Sequence, residues 1–316
     1  MVTVFIDGEA GTTGMKLAER LRSAGRFKLL TLPHAQRKLE SARRDALNTC
    51  DIAVLCLPDE AARASVAMIH NKHVRVLDAS VAHRVADGWV YGFPELTKGQ
   101  RSAIANASRV TNPGCFATGA VALLRPLVDA NLLLDSAPLS LFGVSGYSGG
   151  GRALIEAFED NGSDRIDANF YLYSLDLKHK HVPEIVKHGG VTRTPIFLPS
   201  VGRFRQGMLV SLPLHVDHLS IKGSGLVAAI SEAYAQHYGG CAGVSVHCEV
   251  TRDASGRALL DPEVLNNTND LEIFVLSDSS SQQLMLVARL DNLGKGSSGA
   301  AMQNLEIMAG LQPGSP

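Results

Sequence analysis

The chain has no charge excess of either sign: 30 Lys and Arg stand against 31 Asp and Glu over 316 residues, a formal net charge of −1. A general nucleic-acid or anionic-membrane binder usually carries a basic surplus, so neither partner is expected. Aromatic residues make up only 5% of the sequence, which leaves no stacking platform for single-stranded nucleic acid. The five cysteines are few, scattered and odd in number, so a disulfide scaffold is excluded. They form no CxxC pair, and no structural zinc or other metal site is expected. No apolar run approaches the roughly 20 residues of a membrane span. Met1 runs directly into Val2-Thr3-Val4-Phe5-Ile6 with no basic segment before it, so no signal peptide is expected. These absences point to a cytoplasmic enzyme with free thiols, long enough for two domains at roughly 150 residues each.

What is present begins with alternation. Val2–Ile6, Phe27–Leu32, Ile52–Leu57 and Val74–Leu77 are short apolar runs of the kind that form strands buried on both faces. Between them, Leu17, Ala18, Leu21 and Ala24, then Leu39, Ala42, Ala46 and Leu47, then Ala62, Val66 and Ile69 recur at helical spacing. Strand and helix in turn predict βαβ units, a parallel sheet and right-handed crossovers. After about residue 137 that rhythm is lost. Candidate strands at 139–144, 195–198, 208–216, 244–250, 271–276 and 283–290, with helices over 220–238 and 295–311, predict an α+β domain with a mixed or antiparallel sheet.

Gly8-Glu9-Ala10-Gly11-Thr12-Thr13-Gly14 follows the first strand and opens an amphipathic helix. Glycines there allow a tight turn and close approach to a pyrophosphate, which the free N–H groups of the helix would receive. The spacing is GxxGxxG, so position carries more weight than the motif, and a ligand-free turn is the bland alternative. The second strand runs into Pro33-His34-Ala35-Gln36-Arg37-Lys38, with no carboxylate before Glu40. NAD-binding folds put an acid there for the ribose 2′-OH; two cations favour a 2′-phosphate, hence NADP over NAD.

Asn112-Pro113-Gly114 is turn chemistry, and Ala117, Ala120, Val121, Leu124, Leu127 and Val128 downstream form a helical stripe. Cys115 therefore falls at a helix N-terminus, where the dipole and free N–H groups favour a thiolate and could receive an oxyanion. Cys50 and Cys56 read as core thiols, and Cys241 and Cys248 lack a turn-to-helix setting. A thiolate needs a proton-transfer partner, and Lys178-His179-Lys180-His181-Val182-Pro183-Glu184 is the densest histidine cluster. If extended, it turns both histidines to one face and both lysines to the other; a basic surface loop is the alternative. Gly143 to Arg152, which includes Ser148, combines hydroxyls, amides and a cation suited to a carboxylate or phosphate.

Taken in order, Phe5 to Gly14, Cys56-Leu57-Pro58-Asp59, Asp78-Ala79-Ser80, Tyr91-Gly92-Phe93-Pro94-Glu95-Leu96, Asn112-Pro113-Gly114-Cys115, His179 to Glu184 and Asp291-Asn292-Leu293-Gly294-Lys295-Gly296 resemble the N-acetyl-gamma-glutamyl-phosphate reductases of the shorter bacterial type. The resemblance runs through nearly the whole chain. It implies a Rossmann-like domain over residues 1–114 completed by a C-terminal helix in 293–316. It also implies a semialdehyde-dehydrogenase-like catalytic and oligomerisation domain over 115–292, assembled as a dimer or tetramer. The implied reaction is NADPH-dependent reduction of an acyl phosphate, with release of inorganic phosphate, in arginine biosynthesis. Cys115 would be the nucleophile and His179 or His181 the acid/base, with the preference to His179. Gly8, Gly11, Thr12, Thr13, Gly14, Arg37, Lys38, Pro58, Ser80 and Asn292 would hold the cofactor. Ser148, Arg152, Arg84 and Arg205 are candidate substrate contacts. Phe116 and Ala117 stand where the longer type has Tyr and Pro, Ala10 and Thr12 where its loop has Ser and Tyr, and Ser200 where it has a histidine. Another semialdehyde dehydrogenase of the same fold, a non-catalytic NADP-binding regulator and a cysteine hydrolase are the competing functions.

Overall fold

The computed structural model describes residues 1–159, 164–223, 225–278, 280 and 282–311. The chain divides into two compact units, one of 1–94, 99–114 and 297–316, the other of 95–98 and 115–296.

The first unit opens with β1 (Val2–Asp7), α1 (Thr12–Ala24), β2 (Phe27–Leu30), α2 (Glu40–Thr49), β3 (Ile52–Leu55), α3 (Asp59–Met68) and β4 (Arg75–Asp78). It continues through β5 (Val90–Tyr91), α4 (Gln100–Asn106) and β6 (Arg109–Thr111). The described strands form one parallel sheet in the order β2-β1-β3-β4-β6-β5. β1 and β3 are interior strands, and Val4, Phe5, Ile6, Ala53, Val54 and Leu55 are all buried, as expected of strands covered on both faces. α1 presents Leu17, Ala18 and Leu21 to the core and ends on Gly25 in the left-handed region (φ 61°), whose N–H caps Leu21 O. β5 and β6 extend the sheet past the four strands expected from the sequence. At two and three residues they are too short to show a period.

The second unit begins with α5 (Cys115–Asp129) and β7 (Ser140–Gly146), followed by α6 (Gly151–Glu159), β8 (Phe170–Leu172), α7 (Val182–Gly189), β9 (Ile196–Gly202) and β10 (Met208–His215). It ends with α8 (Leu226–Tyr238), β11 (Val244–His247), β12 (Leu271–Ser277) and β13 (Gln283–Leu290). The described strands form a mixed sheet in the order β11-β12-β13-β10-β7-β9-β8. β7–β9 and β11–β12 are parallel pairs and the other pairs are antiparallel. α5 is buried nearly all round, from Phe116 to Leu124, because it lies between the sheet and other helices. Gly119 lets it approach: a Cβ there would stand 2.7 Å from Val210. Tyr238 of α8 donates to Ala122 O at 2.8 Å, and Tyr234 donates to Leu123 O.

Among the described residues, no helix covers the other face of this sheet at Phe142, Ile196 and Met285. Phe142 pairs across from Ser211, and Pro213 from Met285. Phe142, Ile196 and Met285 are each 44–51% exposed. α9 (Gly299–Met308) returns to the first unit, where Ala301, Leu305 and Met308 join the core beside α1. Residues 312–316 of the expected C-terminal helix lie outside the described residues. Among the described residues, no helix is long and apolar enough to cross a membrane.

Candidate active site

In the first unit the glycine loop is built by close approach. Gly8 has φ +92°, and a Cβ there would stand 2.2 Å from Cys56 O. A Cβ on Gly14 would stand 2.5 Å from Gly8 O. Only hydrogen at those positions lets the turn close on β3 and on itself. α1 then starts with Gly11 as its N-cap, with no side-chain cap bond and no acid in the first turn. Its N-terminal N–H groups are thus left to an anion, and the chemistry fits the pyrophosphate of a dinucleotide. Thr12 and Thr13 open the helix, and Thr13 Oγ1 lies 3.1 Å from Ser297 Oγ. Beneath the loop, buried Asp7 receives two bonds from Arg43 and one from Ser65.

The remaining cofactor candidates of this unit are spread over the ends of successive strands. Arg37 donates from Nε to Leu32 O at 3.1 Å and lies 3.6 Å from Glu9 of the glycine loop. Lys38 is exposed beside it. Pro58 is the N-cap of α3. Ser80 is buried and donates to Asp78 Oδ2 at 2.7 Å, while His83 Nδ1 lies 2.6 Å from the same oxygen and stacks on Trp89 at 4.2 Å. Arg84 is buried and donates to Ala79 O.

In the second unit Cys115 is the first residue of α5, the position its turn-to-helix context predicts. A Cβ on Gly296 would stand 2.8 Å from Cys115 Cβ, so the glycine of the Gly294–Ser298 π-turn sits directly against the cysteine. Cys50 and Cys56, by contrast, are packing thiols whose burial pushes them up to about 12.

The two histidines share one side, both buried, with Lys178 and Lys180 exposed. The segment is not an extended strand, however. It turns into α7 at Val182, and Pro183 in the first helical turn starts the helix. Phe116 gathers the site: its ring lies 6.0 Å from His179, 6.3 Å from His181 and 5.3 Å from Phe197. His179 Nδ1 accepts the His181 backbone N–H at 3.1 Å, and Nε2 lies 3.2 Å from Tyr173 Oη. A ring nitrogen that accepts an N–H carries no proton, so the neutral ring holds its proton on Nε2, toward Tyr173. Burial, helped by Lys180, lowers His179 to about 4, so the imidazole is neutral at pH 7. Tyr173 was not legible as a site residue. Burial and the neighbouring Cys115 push its phenol well above the ordinary range.

Asn292 uses both ends of its amide. Oδ1 accepts Gly207 N–H at 2.7 Å, and Nδ2 donates to Ser148 Oγ at 2.9 Å, so it fixes a buried serine. Arg152 pairs with Glu156 one turn along α6 and is 76% exposed; Arg205 pairs with Glu159. Each of these candidate anion contacts thus already holds a carboxylate. Ser200 donates to Gly143 O at 2.7 Å and is tied into the sheet. Among the described residues, no group of three His, Cys, Asp or Glu could hold a metal ion.

Residues 3–107 match the family model described as "Semialdehyde dehydrogenase, NAD binding domain", and 115–292 the one described as "Semialdehyde dehydrogenase, dimerisation domain". Solved aspartate semialdehyde dehydrogenases share the fold. The Vibrio cholerae enzyme II has a TM-score of 0.73 at 16% identity over 98% of both chains; the Candida albicans enzyme has 0.64 at 14%, again over 98% of both. Fold and site thus define an α/β enzyme of the semialdehyde dehydrogenase class, binding a nicotinamide dinucleotide. Among curated relatives, "N-acetyl-gamma-glutamyl-phosphate reductase" of Burkholderia cenocepacia is 49% identical over 98% of this chain and 97% of its own. "N-acetyl-gamma-glutamyl-phosphate reductase 2" of Pseudomonas putida is 50% identical over 97% and 96%. This chain belongs to the N-acetyl-gamma-glutamyl-phosphate reductase family.

Proposed function

We propose that the chain reduces N-acetyl-L-glutamyl 5-phosphate to N-acetyl-L-glutamate 5-semialdehyde with NADPH, as a cytoplasmic enzyme of arginine biosynthesis. The observation that carries the reading is Cys115 at the first residue of α5, within electrostatic reach of Tyr173, whose hydroxyl lies 3.2 Å from His179 Nε2. The Cys115 sulfur attacks the acyl carbon, the bond from that carbon to the phosphate oxygen breaks, and inorganic phosphate leaves a thioester. NADPH, when bound, supplies the hydride. As the thiohemiacetal collapses, the C–S bond breaks and the thiolate is restored. The N–H groups of the first turn of α5 stabilise negative charge on the substrate oxygen. The His179–His181 pair takes and returns the proton, with the preference to His179, whose Nε2 lies 3.2 Å from Tyr173 Oη.

Residues 1–114 with the C-terminal helix carry the dinucleotide, and 115–292 carry catalysis and oligomerisation. Gly8, Gly11, Thr12, Thr13 and Gly14 serve the pyrophosphate, Arg37 and Lys38 the 2′-phosphate, and Pro58 and Ser80 line the strand ends. Asn292 serves the cofactor and holds Ser148, and Ser148, Arg84, Arg152 and Arg205 are the substrate contacts. The uncovered face with Phe142, Ile196, Pro213 and Met285 is the surface on which a second copy packs, in keeping with the dimerisation description of 115–292.

The test is oxidation of N-acetylglutamate semialdehyde with NADP⁺ and phosphate, beside aspartate semialdehyde. Turnover confined to the acetylated substrate and dependent on phosphate supports the reading. Preference for aspartate semialdehyde, or phosphate-independent turnover, contradicts it.

A further inference from the structure

β2 pairs with β1 in parallel, so both strands exit at the same edge of the sheet. In dinucleotide-binding folds that edge, past the end of the second strand, receives the adenosine ribose. The sequence offers no carboxylate there before Glu40. The fold supplies one from the glycine loop that follows β1. Glu9, the residue after Gly8, has a side chain only 15% exposed and lies 2.6 Å from Arg22 of α1 and 3.6 Å from Arg37. The Arg37 guanidinium is thus held from two sides, by Leu32 O and by the Glu9 carboxylate.

We infer that Glu9 is a specificity-determining residue that limits the preference for NADPH over NADH. This rests on the proposal that Arg37 receives the 2′-phosphate. A phosphate at Arg37 comes within reach of the Glu9 carboxylate and competes with it for the same guanidinium. Like charges oppose each other there, while Arg22 offsets part of the repulsion. The ribose 2′-hydroxyl of NADH carries no charge and can donate to the same carboxylate. Both effects have one sign. Removing the Glu9 charge strengthens binding of NADPH and weakens that of NADH.

The experiment is direct binding of NADPH and NADH, by fluorescence or calorimetry, to the wild type, Glu9→Gln and Arg37→Gln at low and high salt. For Glu9→Gln the ratio of the NADH to the NADPH dissociation constant rises, by about five- to tenfold at low salt for charges some 4 Å apart near a wet surface. The rise shrinks in 1 M salt, where the screening length falls to about 3 Å. Glu9→Ala carries the same expectation should the glutamine variant fold poorly. Arg37→Gln weakens NADPH and spares NADH. If Arg37→Gln acts in this way and both Glu9 variants leave the ratio unchanged or lower it, the role of Glu9 is overturned while the cofactor assignment stands. If Arg37→Gln changes neither constant, the assignment of the 2′-phosphate falls and the role of Glu9 with it.

Discussion

Lys295 Nζ donates to Glu95 Oε1 at 2.8 Å, and both residues are buried, Lys295 to within 1%. Glu95 is also tied through its backbone, where His237 Nε2 meets its carbonyl at 3.1 Å. Lys295 directly precedes Gly296, the residue packed against Cys115. A buried ion pair therefore anchors the π-turn that sets the position of the nucleophile.

Lys295→Met leaves the Glu95 carboxylate buried without its main counter-charge. Breaking one side of such a pair costs about 3–5 kcal/mol. Lys295→Met should lower stability by that order in urea unfolding, and a Lys295→Met/Glu95→Leu double variant should recover much of it. A double variant no more stable than the single one would show that the pair is not the source of the loss.

Gly8→Ala asks for a side chain at φ +92° with its Cβ 2.2 Å from Cys56 O. The dihedral alone costs about 1–3 kcal/mol. The variant should melt at lower temperature and lose NADPH affinity, because the loop must open to admit the methyl group. Unchanged affinity would separate the loop from cofactor binding.

His179 gives a pH signature. Its pKa falls from the ordinary 6.5 to about 4 on folding, so between those values the unfolded chain binds more protons than the folded one. Its contribution to stability is whole above pH 6.5 and is lost as pH falls toward 4. Wild type should lose more stability than His179→Asn between pH 7 and 4.5. Parallel slopes in urea unfolding would contradict the burial argument.

The same histidine should dominate proton transfer. In single-turnover reduction of the acyl phosphate, His179→Asn should slow the chemical step by about 10²–10⁴-fold, the range of general acid–base catalysis. His181→Asn should cost less. Tyr173→Phe should shift the pH profile of the step, since Tyr173 orients the ring. A larger loss at His181 would reverse the assignment within the pair.

Much of this was legible in the sequence. The strand-to-glycine-loop start and the stripe behind Cys115 follow periodicities that local sequence carries. The unread parts depend on pairings between distant residues. β5, β6 and β8 are two or three residues long and owe their assignment to their neighbours in the sheet. α7 was hidden because the Lys-His-Lys-His segment before it reads as a surface loop, although Pro183 is a helix starter. β2 ends at Leu30, two residues before its apolar run does. Helix 220–238 starts only at Leu226. Glu95 meets Lys295, and Glu9 meets Arg37, only through the fold. Tyr173 could have been suspected only from lying six residues before His179.

In the proposed reaction Cys115 forms the covalent bond to substrate. The most direct test of that role is Cys115→Ser, assayed for NADPH oxidation with N-acetylglutamyl phosphate and, in parallel, for NADPH binding. Turnover should be abolished while NADPH binds as in the wild type. Retained turnover in that variant would contradict the role of Cys115.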